Sequence, residues 1–195
     1  MTDWNTSADP EAMLAALGGH ALGRKLRLFL CAALRATTTY QRLHRAIGVA
    51  EAFADAGPDA PDGAVLEKLL ADLRGGPISL AIRELLGPVF DLGSVGRILQ
   101  GLAADARGRA DLLREVMGDP FDPVLLRTGW MIANHCQVSK LARALHASRR
   151  WEELPLLADA LLDAGCDDER LLGHLRSGGP HVRGCWALDL LADAW

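Results

Sequence analysis

Apolar residues recur along most of this 195-residue chain at every third or fourth position, the spacing that places them on one face of an α-helix. Met13, Leu14 and Leu17 form the first such stripe, behind an Asp9-Pro10 pair that is typical of a helix start. Glycine and proline clusters separate the later stripes from one another. The pattern predicts about ten helices, at residues 10–17, 22–36, 40–56, 65–73, 78–86, 95–104, 110–117, 129–148, 151–164, 168–175 and 180–191.

Short links between these helices favour an all-α fold, either an irregular multi-helix bundle or stacked helical hairpins. The segment Trp151–Arg176 has the pattern of one hairpin, with two helices around Gly165. No second copy recurs at a fixed period, as a solenoid would require. We therefore expect a single helical domain over residues 1–195, with one candidate seam at 118–123, where two prolines and a glycine interrupt the pattern.

Composition strengthens the helical prediction and leaves the function open. The chain has 31 Ala and 35 Leu but only 19 Val, Ile and Thr together. Since β-branched residues favour strands and Ala and Leu favour helices, a large sheet is not expected. A chain of this length can bury roughly 70% of its surface, enough for a core that needs neither disulfides nor metal. No motif in the sequence fixes a reaction.

Charge argues against a nucleic-acid-binding protein, because the formal net charge is −4 and nucleic-acid modules usually carry a basic excess. Residues 21–50 are an exception, since their Lys and Arg residues have no carboxylate among them. We expect these cations to pair with acidic neighbours, which return at Glu51 and Asp55, rather than to form an anion-binding surface. The cations are Arg24, Lys25, Arg27, Arg35, Arg42 and Arg45.

Targeting signals are absent from the sequence pattern. Residues 1–10 are polar and lack the basic start of a signal peptide. The longest apolar run, Leu28–Leu34, is far shorter than the ~20 residues of a membrane span. Scattered cysteines in helical contexts are typical of reduced thiols, so we predict a cytoplasmic protein with no membrane association. The cysteines are Cys31, Cys136, Cys166 and Cys185.

Cysteine and histidine are concentrated in the stretch 164–187. Two thiolates and two imidazoles would suit a tetrahedral zinc ion. The close C-x2-C or H-x3-H pairs of standard zinc sites are missing, so buried thiols with hydrogen-bonded histidines are the preferred interpretation and zinc is the alternative. The candidate metal ligands, spaced C-x7-H-x6-H-x3-C, are Cys166, His174, His181 and Cys185.

The same stretch has two further interpretations. If Pro180 begins the last helix, His181 and Cys185 share a face, and the helix start beside Arg183 could bind a phosphate or carboxylate. A capped turn that binds nothing is the preferred alternative. Cys185, near that helix start and beside Arg183, would have a lowered thiol pKa and is the best nucleophile candidate. The candidate ligand-binding residues are His174, His181, Arg183, Cys185 and Trp186.

Two motifs of the second half, G-D-P-F-D-P at 118–123 and H-V-R-G-C-W at 181–186, resemble an uncharacterised family of helical proteins from large-genome bacteria. Near the N-terminus, DPEAML and RKLRLFLCA are similar to the opening of that family. The resemblance implies one helical unit and no assigned activity. It directs attention to 119–121 and to the cysteine and histidine stretch. Asp119 stands where the family pattern often has Asn.

Two classes of function remain open. The Leu- and Ala-rich helices, the five tryptophans and the lack of catalytic signatures favour a helical protein-binding or adaptor module, with self-association included. Such a module should present a groove or an apolar patch. The alternative is a small-molecule or metal-binding enzyme built on residues 166–186, which requires its sulfur and nitrogen atoms to converge.

Overall fold

The computed structural model describes residues 3–18, 23–56, 68, 71, 75–87, 90–101 and 105–192. Over these residues the protein is all-α, as predicted, and no β-strand occurs among them. The helix predicted at 65–73 lies almost wholly outside them. A 3-10 helix lies at Trp151–Glu153, and the α-helices are α1 (Pro10–Leu17), α2 (Gly23–Thr37), α3 (Gln41–Ala56), α4 (Pro77–Leu85), α5 (Leu92–Gln100), α6 (Ala106–Met117), α7 (Thr128–Ser148), α8 (Leu154–Asp163), α9 (Glu169–Arg176) and α10 (Trp186–Ala192).

The chain divides into two compact units, Met1–Leu113 and Arg114–Trp195. Helices α1 to α5 belong to the first unit and α7 to α10 to the second, and the boundary falls within α6. This boundary precedes the seam predicted at 118–123. A single domain over residues 1–195 stays a prediction.

Capping and apolar spacing explain the helices of the first unit. The Asp9 carboxylate accepts a hydrogen bond from the backbone N–H of Ala12 at 3.0 Å, which satisfies one donor at the start of α1. In α2, Phe29, Leu30 and Leu34 are completely buried. Their helix packs against α3, α4 and α5. Residues 28–34 are all buried, so the middle of α2 is buried on all sides of the helix and not along one stripe.

The basic segment of the first unit is paired with acids. Arg24 Nη2 lies 2.8 Å from Asp55 Oδ1. The Arg35 guanidinium donates to both carboxylate oxygens of Glu51, at 2.7 and 3.0 Å. Two parallel bonds of this kind are among the stronger ion-pair geometries. The predicted pairing with acidic neighbours is confirmed at Arg24 and Arg35.

Helices α8 and α9 form the hairpin predicted around Gly165. Gly165 has φ +81°, a left-handed angle that glycine adopts without steric cost, and it ends the first helix. Leu157 and Leu161 of α8 and Leu171 and Leu175 of α9 are completely buried. These four leucines belong to one hydrophobic core, which also includes residues of α7 and α10.

The N-cap of α9 is Asp168, so the helix predicted at 168–175 begins one residue later, at Glu169. One oxygen of Asp168 accepts hydrogen bonds from the backbone N–H groups of Arg170 and Leu171, each at 3.0 Å. Asp167 instead lies 3.0 Å from the guanidinium of Arg127. Either of the two adjacent aspartates could cap the helix, but Asp167 is engaged in the ion pair with Arg127.

Helix α7 is interrupted, so the prediction of one continuous helix over 129–148 is wrong in its first third. Asn134, His135 and Cys136 have φ angles of 47°, 59° and 62°, in the left-handed region, and Ala133 is extended. None of these residues is glycine or proline. The usual sequence signals of a helix break are therefore missing.

Replacement of His135 by glycine should stabilise the protein by about 0.5–1 kcal/mol, because glycine removes the steric cost of a left-handed residue there. The side chain of His135 is exposed, so little packing is lost. Urea denaturation measures the change. Lys140→Gly, at an exposed and regularly helical position of α7, is the matched control and should destabilise by about 1 kcal/mol. Equal signs for the two variants would contradict the prediction.

Candidate functional site

The loop at 177–185 leads into the last helix. That helix begins at Trp186, so the prediction that Pro180 begins it is wrong. Gly179 and Gly184 have φ angles of +90° and +91°, and these two left-handed residues turn the chain before the helix can start. The anion site predicted at a helix start after Pro180 therefore does not form. His181 is brought to the site by this loop and not by a helix face.

Three of the predicted residues converge on a carboxylate. His174 Nε2 lies 3.2 Å from Cys185 Sγ and 3.4 Å from Glu115 Oε2. His181 Nδ1 lies 3.2 Å from the other carboxylate oxygen of Glu115. One ligand atom from each of the four residues lies within 4.8 Å of all the others. We call these residues the four-residue cluster; Glu115 lies on α6, His174 on α9 and the other two on the loop at 177–185.

The four-residue cluster is removed from solvent. Glu115 and Cys185 are buried, and the side chains of His181 and His174 are only 5% and 17% exposed. Hydrogen bonding to Glu115 raises the pKa of His181, against the opposing effect of burial. Burial lowers the pKa of His174, although the nearby carboxylate favours its charged form. The two histidines therefore differ in the ease with which they accept a proton.

The position of the His181 hydrogen follows from its second nitrogen. His181 Nε2 lies 3.2 Å from the carbonyl oxygen of Ser177, which can only accept, so Nε2 donates. In a neutral ring this leaves a lone pair on Nδ1, which faces a carboxylate oxygen of Glu115 at 3.2 Å. Two acceptors at this distance need either a shared proton or a cation between them.

Trp186 packs over the four-residue cluster. Its ring centroid lies 5.0 Å from that of His174, and the rings of His174 and His181 meet edge to face at 5.1 Å. The indole also lies against Gly118, where an added Cβ would be 3.0 Å from Trp186 Cγ. Trp186 thus holds the end of α6 and the cluster in one packed arrangement.

The other predicted site residues lie elsewhere. Cys166, predicted as the fourth metal ligand, is not part of the four-residue cluster and is buried in the hydrophobic core of the second unit. Arg183 lies half-buried in the turn between His181 and Cys185. Glu115 takes the place of Cys166. Nothing in the sequence singles it out among 25 acidic residues.

Cys185 does not have the properties of a nucleophile. Burial raises the pKa of its thiol well above the ordinary value, and the carboxylate of Glu115 adds to this effect. The prediction of a lowered pKa is therefore wrong, because it depended on a helix start that the structure does not have. Cys185 is only 1% exposed in the part of the chain that the structure describes, so a substrate has no direct access to its thiol.

A second feature of this unit is an exposed apolar segment at 121–132. It borders a cavity of about 510 Å³. The cavity is lined by Leu125, Leu126, Arg127 and Trp130 of the segment and by Asp167, Asp168 and Arg170 at the start of α9. Asp119 fixes the start of the segment, since its carboxylate accepts from the backbone N–H groups of Phe121 and Asp122 at 3.0 and 3.2 Å. The exposed apolar side chains are Phe121 (52%), Leu125 (79%), Leu126 (37%) and Ile132 (64%).

Comparison with known proteins adds no relative to this description. No protein-family model, no curated protein and no solved structure matches the chain. Within the part of the chain that the structure describes, no helix is both long and apolar enough to cross a membrane. The function must therefore be inferred from the geometry of the two features described above.

Proposed function

We propose that this protein is a non-catalytic helical protein-binding module, and that its partner is a second copy of the same chain. The apolar segment at 121–132 carries the proposal, because four of its large apolar side chains are exposed and two of them, Leu125 and Leu126, line a cavity together with Trp130. Single exposed leucines are ordinary on protein surfaces. A group of them beside an aromatic side chain is typical of an interaction site.

The charges around the segment favour a second copy as the partner. Arg127 pairs with Asp167 at 3.0 Å and Arg170 pairs with Asp122 at 2.7 Å, and all four side chains are at least half exposed. Exposed ion pairs of this kind contribute little to the stability of a single chain. In a two-fold dimer the same surface meets itself, so any charges on it are best placed when both signs are present. A surface with an apolar centre and both signs around it meets this requirement.

The enzyme alternative has less support. The four-residue cluster is buried and its thiol has a raised pKa, which suits a structural role better than attack on a substrate. A nucleic-acid partner is disfavoured because Arg24 and Arg35 of the basic segment already pair with acids. A cytoplasmic location belongs to the same proposal, since all four cysteines carry thiols. Membership of the helical bacterial family that the sequence resembles is also part of this proposal.

Sedimentation velocity over micromolar to millimolar concentrations tests the proposal. The unaltered protein should form a dimer as its concentration rises, and Leu125→Asp should remain a monomer at concentrations where the unaltered protein is dimeric. A charge at this position would be buried without a partner in the dimer, at a cost of several kcal/mol. Because Leu125 is 79% exposed in the single chain, the fold should not change.

The matched control is Leu162→Asp, at an exposed leucine of α8 outside the apolar segment. This variant should dimerise as the unaltered protein does. A protein that stays monomeric up to millimolar concentration overturns the proposed partner. Dissociation by Leu162→Asp as strong as by Leu125→Asp overturns the assignment to the apolar segment.

A further inference from the structure

We propose that Glu115, His174, His181 and Cys185 bind one Zn²⁺ ion in a closed structural site. The convergence of one oxygen, two nitrogens and one sulfur within 4.8 Å of one another carries this inference. It is independent of the protein-binding function proposed above, since none of the four side chains belongs to the apolar segment.

The observed spacing fits a tetrahedral ion. Zinc binds imidazole nitrogen and carboxylate oxygen at about 2.0–2.2 Å and thiolate sulfur at about 2.3 Å, which separates neighbouring ligand atoms by about 3.3–3.6 Å. The closest pairs of the four-residue cluster are 3.2 Å for His174 Nε2 and Cys185 Sγ, 3.2 Å for His181 Nδ1 and Glu115 Oε1, and 3.4 Å for His174 Nε2 and Glu115 Oε2. Ligand atoms that lie up to 4.8 Å apart would have to approach by about 1 Å to complete the tetrahedron.

The type of ligand selects the metal. Magnesium and calcium take oxygen ligands almost exclusively, and this cluster offers a single carboxylate. A thiolate, two imidazoles and a carboxylate are the mixed ligands that zinc accepts with four-fold coordination. All four positions are filled by protein side chains, as in structural zinc sites, whereas catalytic sites keep one position for water.

A hydrogen bond holds the His181 ring in the orientation that a bound cation requires. His181 Nε2 donates to the carbonyl oxygen of Ser177, which orients the ring and leaves Nδ1 directed at the cluster. A backbone carbonyl that accepts from the second ring nitrogen is a usual partner of a metal-binding histidine. Without metal a proton joins Nδ1 to the carboxylate oxygen of Glu115, and zinc would take the place of that proton.

Bound zinc would join elements that are far apart in sequence. Glu115 comes from the end of α6, His174 from the last turns of α9, and Cys185 from the residue before α10. A metal that binds the folded arrangement and not the unfolded chain adds its binding free energy to the stability of the fold. We therefore expect zinc to stabilise the second unit.

Metal analysis of the full-length chain, purified without added metal and then treated with a chelator and reloaded, tests the site. The expected result is one zinc per chain, lost with chelator and regained with Zn²⁺, and a higher unfolding temperature for the loaded protein. Cobalt in place of zinc should give the charge-transfer absorption of a thiolate ligand and the intense visible bands of a tetrahedral site. A chain that binds no zinc above the level of a chelator-treated blank, or a cobalt complex without the thiolate band, overturns the proposal.

Two cysteine variants locate the site. Cys185→Ser should weaken zinc binding by more than the roughly 10- to 100-fold that is lost when a hydrogen-bond partner of a metal ligand is removed. Cys166→Ser, at the other buried thiol of the same unit, should bind zinc as the unaltered chain does. Equal loss in both variants would overturn the assignment. If Cys185→Ser does not fold, the cobalt spectrum of the unaltered chain still decides the question.

Discussion

Replacement of Gly118 by alanine should destabilise the second unit by about 3 kcal/mol, from two separate costs. Gly118 follows the last residue of α6 and has φ +69°, an angle that costs an alanine about 1 kcal/mol. An added Cβ would also lie 3.0 to 3.3 Å from three atoms of Trp186. The indole would have to move, and overpacking of this kind costs about 1–3 kcal/mol.

Gly165→Ala is the matched control for this prediction. Gly165 also follows the end of a helix and has φ +81°, but nothing lies within 4 Å of its added Cβ. It should therefore show the backbone cost alone, about 1 kcal/mol. Urea denaturation, with the midpoint and slope compared for both variants, measures the difference.

A double variant separates the two costs further. In a Trp186→Ala background the two closest contacts are gone and only the 3.3 Å contact to the Cβ of residue 186 remains, so Gly118→Ala should cost much less than in the unaltered protein. An undiminished cost in that background would show that the contact with Trp186 is not the cause. Since Trp186 also packs against His174, the single Gly118→Ala variant should weaken zinc binding as well.

The fold was predictable from the sequence where local chemistry decides it. Asp9-Pro10 marks the start of α1 and Gly165 marks the end of α8, and the structure confirms both. The interruption at 133–136 was not predictable, because Asn, His and Cys carry no strong break signal when they stand inside an apolar repeat.

The candidate site was predictable only in part. Spacing drew attention to His174, His181 and Cys185, which the structure brings together. The prediction placed His181 and Cys185 on one face of a helix that begins at Pro180. A loop replaces this part of the helix, and its backbone angles cannot be read from sequence spacing. Glu115 could not be found, since it lies far away in the sequence and joins the cluster only through the fold.

Removal of the Glu115 carboxylate should lower the free energy of unfolding about as much as Gly118→Ala does. Glu115 is the only acid of the four-residue cluster, and it accepts from His181 and from the backbone N–H of Val182 at 3.2 and 3.4 Å. Loss of one partner of a buried ion pair leaves the other without compensation and costs about 3–5 kcal/mol. We therefore expect Glu115→Ala to lose about 3 kcal/mol of unfolding free energy with chelator present.

Glu153→Ala is the control for this loss. Glu153 pairs with Arg150 at 2.7 Å in the same unit, but both side chains are partly exposed. Such pairs contribute about 0–1 kcal/mol, so the control should change stability little. Similar losses for Glu115→Ala and Glu153→Ala would contradict the role assigned to burial.

Glu115→Gln distinguishes two roles of Glu115, as an acceptor of buried hydrogen bonds and as a metal ligand. The amide keeps the shape and one acceptor oxygen, so with chelator present this variant should lose less stability than Glu115→Ala. A neutral amide is a poorer zinc ligand than a carboxylate, so zinc should stabilise Glu115→Gln much less than the unaltered chain. Thermal unfolding with and without zinc measures both differences. If zinc raised the unfolding temperature of the two proteins equally, Glu115 would not be a ligand, and its carboxylate would serve only to hold His181 and the loop at 177–185 in place.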